Sequence, residues 1–197
     1  MKIILASNSP RRQELLKGLD IDFEVRIVPD INESYPPELS PEAIPCYLSQ
    51  KKASFYRTSM KADELVITAD TIVELNGKIL EKPIDREDAL RMLQCLSGRK
   101  HQVITAVTLT TIENQKTFSE ISSVDFAPLT GDEIEYYVDN YHPYDKAGGY
   151  GIQEWIGYIG VCGIEGSFYN VMGLPIQRLY NELKSILNDN FLSEAII

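Results

Sequence analysis

The segment Met1–Val28 constrains the fold most. Lys2 to Ala6 is a short apolar run of strand length, Pro10 to Leu19 is patterned as a helix with Gly18 near its end, and Phe23 to Val28 alternates toward a second strand. A strand, helix, strand opening implies an α/β domain. The junction between the first two elements reads Ser7-Asn8-Ser9-Pro10-Arg11-Arg12, with Ser9 suited to cap the helix and Pro10 to its first position. A helix N-terminus leaves backbone N–H groups unpaired and carries partial positive charge, so it can grip an anion. Two arginines in that first turn oppose the helix dipole unless something negative lies beside them. The residues alone leave two readings open, a phosphate grip and a solvated surface pair.

Further along, residues 29–45 form a proline-rich acidic loop leading to a helix opened by Ser40-Pro41-Glu42 and running to about Met60. Leu65 to Thr68 is a buried strand ending at Ala69-Asp70-Thr71, and Ile72–Leu75 and Lys78–Leu80 flank the hairpin signal Asn76-Gly77. Asp85 caps a helix through Leu96, Gln102–Ile112 and Lys116–Phe126 read as antiparallel strands, and Thr130-Gly131-Asp132-Glu133 opens a helix to about Asn140. Tyr141 to Gly151 is a tyrosine- and glycine-rich loop, and Tyr158 to Ile164 is predicted as a strand. An amphipathic helix over Leu174–Leu187 is followed by a weakly patterned tail. No linker or repeat divides the chain, so its 197 residues are read as one domain with a mixed sheet.

Composition narrows the partners. A formal charge of -10 and a pI near 4.7 argue against a nucleic-acid polymer, while a small phosphorylated ligand can still be met by a local basic cluster and a divalent cation. No apolar run approaches a membrane span. Cys46, Cys95 and Cys162 are widely spaced, which argues against a zinc site or disulfide framework and points to a reducing cytoplasm.

Asp70, expected at the end of a buried strand, is the first candidate for chemistry, because a dry carboxylate is costly unless paired or bound to metal. If the first and third strands lie parallel, Asp70 and Ser7–Arg12 face one crevice at the carboxyl ends of the strands. The alternative is an acidic turn residue. Lys52 in mid-helix, Lys82 in Glu81-Lys82-Pro83 and the loop acid Glu33 are each ordinary surface residues when taken singly. Lys146-Ala147-Gly148-Gly149-Tyr150-Gly151-Ile152-Gln153 joins a positive charge, three glycines and an amide able to read donor and acceptor edges of a planar base.

Taken in order, Leu5 to Arg12, Ala69-Asp70-Thr71-Ile72-Val73, Glu81-Lys82-Pro83, Leu96-Ser97-Gly98, Asp145 to Gly148, Tyr150 to Gln153 and Gly173-Leu174-Pro175 resemble the Maf family of nucleoside triphosphate pyrophosphatases over nearly the whole chain. The resemblance implies an inosine-triphosphatase-like α/β fold, a mixed central sheet flanked by helices with two lobes around a cleft, and commonly a homodimer. It implies hydrolysis between the α and β phosphates with Mg²⁺ or Mn²⁺. Asp70 would orient or deprotonate water and contact metal with Glu33, while Ser7, Arg11, Arg12, Lys52 and Lys82 would bind phosphate.

The Asp145–Gln153 segment looks like the branch that prefers dTTP and UTP, and by that resemblance Arg12, Thr71 and Gln153 discriminate the base. Two other readings are carried alongside: a 7-methyl-GTP or other purine pyrophosphatase, and a nucleotide-binding regulator of cell division with little catalysis. The chain departs from the branch at Gly149, where alanine is frequent, and at Glu154-Trp155, where a glycine-containing turn is usual.

Overall fold

A computed structural model describes residues 1–187, so the tail read beyond Leu187 lies outside the described residues. The chain packs as two compact units, each assembled from separate stretches. Among the described residues, one comprises Met1–Asp70, Thr105–Glu120 and residues 173–187, and the other Thr71–Ile104 and Ile121–Met172. Among the described residues, no helix is long and apolar enough to cross a membrane.

In the first unit, β1 (Lys2–Leu5) lies parallel to β2 (Phe23–Val25) and to the start of β3 (Glu64–Leu75), with Leu5 opposite Val25 on one side and Ile67 on the other. Between β1 and β2 the chain climbs through α1 (Pro10–Lys17), capped by Ser9, whose hydroxyl accepts from the Arg12 N–H. Leu15 and Leu16 are the buried residues of this helix.

The second strand is shorter than the sequence suggested. The Arg26 N–H still reaches Leu5, but the buried Tyr56 hydroxyl accepts from the Val28 N–H and donates to the Arg26 carbonyl, ending the strand pattern. The helix predicted to open at Ser40 begins at Ala43 as α2 (Ala43–Ser54), after a turn closed on the Ser40 carbonyl. It ends before Met60 because the N–H groups of Phe55, Tyr56 and Ser59 bond three residues back in tight turns.

α2 is fastened by hydroxyls. Ser49 pairs with Thr108 of β5 (Lys100–Thr110) at 2.9 Å, Thr108 pairs with Thr117 of β6 (Gln115–Phe126) at 2.9 Å, and Thr68 of β3 donates to the Ser49 carbonyl at 2.7 Å. A fully satisfied buried polar chain of this kind fixes helix against strand.

In the second unit, the far half of β3 turns through Asn76-Gly77 into β4 (Lys78–Leu80), with Val73 opposite Leu80; Asn76 and Gly77 both have positive φ, as a two-residue hairpin turn requires. α3 (Arg86–Leu96) and α4 (Gly131–Tyr141) carry the caps expected at Asp85 and Thr130, the latter as a complete capping box with Glu133. Their buried faces join Val73, Leu80, Val124, Phe126, Tyr150, Ile152 and Ile156 in one apolar cluster.

The predicted strand over Tyr158–Ile164 divides into a short helix α5 (Trp155–Gly160) and β7 (Val161–Glu165), which pairs antiparallel with β6. Glycine explains the switch. A Cβ on Gly157 would lie 1.8 Å from the Ile152 carbonyl oxygen, so only glycine admits a helical turn this close to the preceding segment. Two further helices follow, α6 (Phe168–Met172) in the second unit and α7 (Ile176–Leu187) in the first. Strand order is β2-β1-β3-β5-β6-β7 with β4 paired to β3, a seven-stranded mixed sheet.

Candidate active site

Asp70 is not at a strand end. It sits inside the twelve-residue β3, which continues through Asp70-Thr71 into the hairpin. A buried acid interrupting an apolar run predicts a break in the strand. The extended backbone persists, and what changes there is the partner strand. Pairing with β1 stops at Ile67 and pairing with β4 starts at Val73, so Asp70 occupies the stretch between them.

Strand and helix periodicity then bring the charges together. Thr68 and Asp70 are two residues apart on β3 and share a face; Ser49 and Lys52 are three apart on α2 and share a side. The first of each pair makes the Thr68–Ser49 bond, and the second makes an ion pair in which Lys52 Nζ lies 2.6 Å from Asp70 Oδ1. The same ammonium is 3.0 Å from Glu33 Oε1, so the acidic loop folds back onto this point. Burial raises the Asp70 carboxyl above its ordinary range, and the positive charges of Lys52 and then Arg12 oppose that rise.

Arg12 departs from a simple phosphate grip. Its Nε donates to the Gly173 carbonyl at 2.8 Å and its Nη1 to the Ala69 carbonyl at 2.9 Å, with the Ser7 hydroxyl at 3.5 Å. The guanidinium therefore ties α1 to the end of the apolar half of β3 and to the approach to α7, while its charge is felt at Asp70. Burial pulls Arg12 below its ordinary value, and Asp70 offsets part of that. Ser7 is buried and accepts from the Ser9 N–H at 3.3 Å, and the partly buried Arg11 is close enough for its charge to bear on Arg12. Ser7, Arg11, Arg12, Glu33, Lys52 and Asp70 thus all belong to one neighbourhood of the first unit.

Thr71, Lys82 and Gln153 belong to the second unit. Lys82 is exposed on a pinned segment, since the Glu81 carbonyl accepts from the Gly148 N–H at 3.0 Å and Pro83 packs at Gly149. Gln153 presents a buried Oε1 with no hydrogen-bond partner, an acceptor left for something else to satisfy. Beside it lie Tyr137 and Glu154, to which the sequence assigns no role, together with Lys146 of the same glycine-rich segment. Glu154 bridges Lys146 and Tyr137, and Tyr137 comes from a helix with no local signal connecting it to the loop.

Among the described residues, no three of His, Cys, Asp or Glu gather as a metal-holding group. The donors that do converge, Asp70 and Glu33 on one shared ammonium, are two hard carboxylates. That set fits magnesium, which takes one or two protein carboxylates and completes its shell with water and substrate phosphate.

A family model described as Maf-like protein matches residues 2–186. The chain belongs to this family. The Maf-like protein is 60% identical over 185 residues to a dTTP/UTP pyrophosphatase of Bacteroides thetaiotaomicron, covering 94% of this chain and 96% of its relative. It is 59% identical over 185 residues to one of Phocaeicola vulgatus (94% and 96% covered), and 56% identical over 191 residues to one of Porphyromonas gingivalis (96% of each). Among solved structures, it resembles the Staphylococcus aureus Ham1 protein with a TM-score of 0.48 at 18% identity, over 64% of this chain and 72% of that one. A dITP/XTP pyrophosphatase from Mycobacterium abscessus gives a TM-score of 0.43 at 16% identity, over 95% and 97%. These structural likenesses are too distant to carry an argument about the chain.

Proposed function

We propose that this Maf-like protein hydrolyses dTTP and UTP to the nucleoside monophosphate and pyrophosphate, as one functional domain across residues 1–197. The observation that carries the reading is the buried Asp70–Lys52 pair, flanked by Arg12 and Glu33, in a chain 60% identical to a protein named for that activity. A buried carboxylate whose ionised form depends on neighbouring cations suits it to hold and deprotonate a water.

In this proposal Asp70 orients the water that attacks the α-phosphorus. The new bond is water oxygen to phosphorus, the broken bond is the bridge to the β-phosphate, and pyrophosphate leaves. Ser7, Arg11 and Lys52 bind phosphate and stabilise the charge that develops; Arg12 adds its charge while its N–H groups hold the backbone. By family resemblance Lys82 also contacts phosphate, and Thr71 and Gln153 with Arg12 select the base. Asp70 and Glu33 would hold Mg²⁺ or Mn²⁺, which when bound polarises the phosphate oxygens and lowers the cost of ionising water.

The same resemblance carries the proposals of a homodimer and of a cytoplasmic setting, the latter supported by three cysteines that are all free. The test is a panel of canonical and modified triphosphates scored for pyrophosphate release with magnesium. dTTP and UTP should lead the panel. Leading turnover of 7-methyl-GTP would displace the pyrimidine assignment, and turnover no faster than that of Asp70→Asn would favour a regulator.

A further inference from the structure

The second unit contains a closed ring of hydrogen bonds around the residue expected to read the base. The Tyr137 hydroxyl accepts from the Gly151 N–H at 2.9 Å and donates to Glu154 Oε2. The Glu154 N–H returns to the Gly151 carbonyl at 2.9 Å, leaving Ile152 and Gln153 as the residues inside the turn. The other Glu154 oxygen lies 3.1 Å from Nζ of the buried Lys146, which also donates to Asp145 Oδ1 at 2.7 Å. The fit is close, since a Cβ on Gly151 would come within 2.7 Å of the Glu154 carboxyl carbon. Tyr137 is fully buried, so the ring is anchored in the core of the unit.

Rigidity here has a chemical consequence. Uracil and thymine present an imide N–H beside a carbonyl, which a glutamine amide meets by accepting through Oε1 and donating through Nε2. Cytosine presents a ring nitrogen acceptor beside an amino donor, and the same amide meets that pattern by rotating half a turn. A glutamine therefore separates the two classes only if its amide is held one way round. In this structure Gln153 Oε1 is buried and awaits a donor.

We propose that Glu154 is a positioning residue for base selection, acting through Tyr137 and Lys146 to fix the Gly151–Glu154 turn so that the buried Gln153 Oε1 is presented to accept an imide N–H. The inference rests on the reading that Gln153 contacts the base.

The test compares kcat/KM for UTP and CTP in wild type, Glu154→Ala, Glu154→Gln, Tyr137→Phe and Gln153→Ala. Glu154→Ala should lower the UTP to CTP ratio by about tenfold, mainly through a higher KM for UTP with kcat within about twofold of wild type. Tyr137→Phe keeps the ring packed and removes both hydroxyl bonds, so it should shift the ratio the same way and decides the matter if Glu154→Ala does not fold. Glu154→Gln retains an acceptor for Lys146 and should recover most of the ratio. An unchanged ratio in Glu154→Ala and Tyr137→Phe, or equal losses on both substrates, overturns the positioning role while Gln153→Ala still abolishes selection. A ratio unmoved by Gln153→Ala defeats the underlying base-reading assignment instead.

Discussion

Lys52 and Asp70 form a largely buried ion pair at 2.6 Å, with side-chain exposures of 14% and 9%. Its parts come from α2 and β3, and the register that aligns them is set one step earlier by the bond between Thr68 and the Ser49 carbonyl. Removing one partner leaves a charge buried without its counter-ion, which costs about 3–5 kcal/mol. Lys52→Met should therefore destabilise the protein by about that amount in urea unfolding. Adding Asp70→Asn should give back at least about 1 kcal/mol, a coupling that a double-mutant cycle measures.

Arg12 should resist its conservative replacement. Two backbone carbonyls, those of Gly173 and Ala69, take bonds from different nitrogens of one planar group. A lysine ammonium cannot span both, and hydrogen bonds from charged donors contribute about 1.5–3 kcal/mol each. Arg12→Lys should lose about 2 kcal/mol of stability as well as turnover. Equal stability of the two proteins would show that the guanidinium has no framework role.

His101 gives a pH dependence whose sign is fixed. Its Nε2 lies 2.7 Å from the Tyr150 hydroxyl, and burial pushes the imidazole down to about 4 from an ordinary 6.5. Above pH 6.5 both the folded and unfolded chains keep this histidine neutral. Between 6.5 and 4 only the unfolded chain takes the proton, so stability falls as the pH falls, by about 3 kcal/mol across the window. His101→Gln should flatten that part of the stability profile measured from pH 7 to pH 4.5.

Two glycines give an internal contrast. Gly148 has φ +70° and an added Cβ would lie 2.9 Å from Val73 Cγ2, whereas Gly131 at the start of α4 has nothing within 4 Å. Gly148→Ala combines left-handed strain with overpacking and should cost about 2–4 kcal/mol. Gly131→Ala should be neutral or slightly stabilising, because alanine is the better helix former. Melting temperatures of the two variants check both expectations.

Local chemistry made much of this molecule readable in advance. The caps at Ser9, Asp85 and Thr130 and the Asn76-Gly77 hairpin lie where their side chains or φ preferences require. Elements set by distant partners were harder to read. β2 is cut short by the hydroxyl of Tyr56, and the α5 turn depends on the clearance that Gly157 leaves at Ile152. Asp70 looked like a terminus because burying an acid inside a strand is costly, and the cation that offsets the cost comes from another element. That Ser7 to Arg12 and Asp70 share a neighbourhood follows from first and third strands that run parallel, whereas the addition of Glu33 and Lys52 was legible only through the ordered motifs of the family. The Tyr137–Glu154–Lys146 ring was not legible, since α4 carries no mark tying its tyrosine to a loop beyond it.

The most direct measurement is the fate of heavy oxygen when UTP is hydrolysed in ¹⁸O-water with magnesium, read by mass spectrometry of both products. Attack at the α-phosphorus puts one ¹⁸O in UMP and none in pyrophosphate, and Asp70→Asn should lose most turnover with nucleotide binding retained. Label in pyrophosphate, or release of UDP and orthophosphate, would contradict attack at the α-phosphorus and with it the role assigned to Asp70.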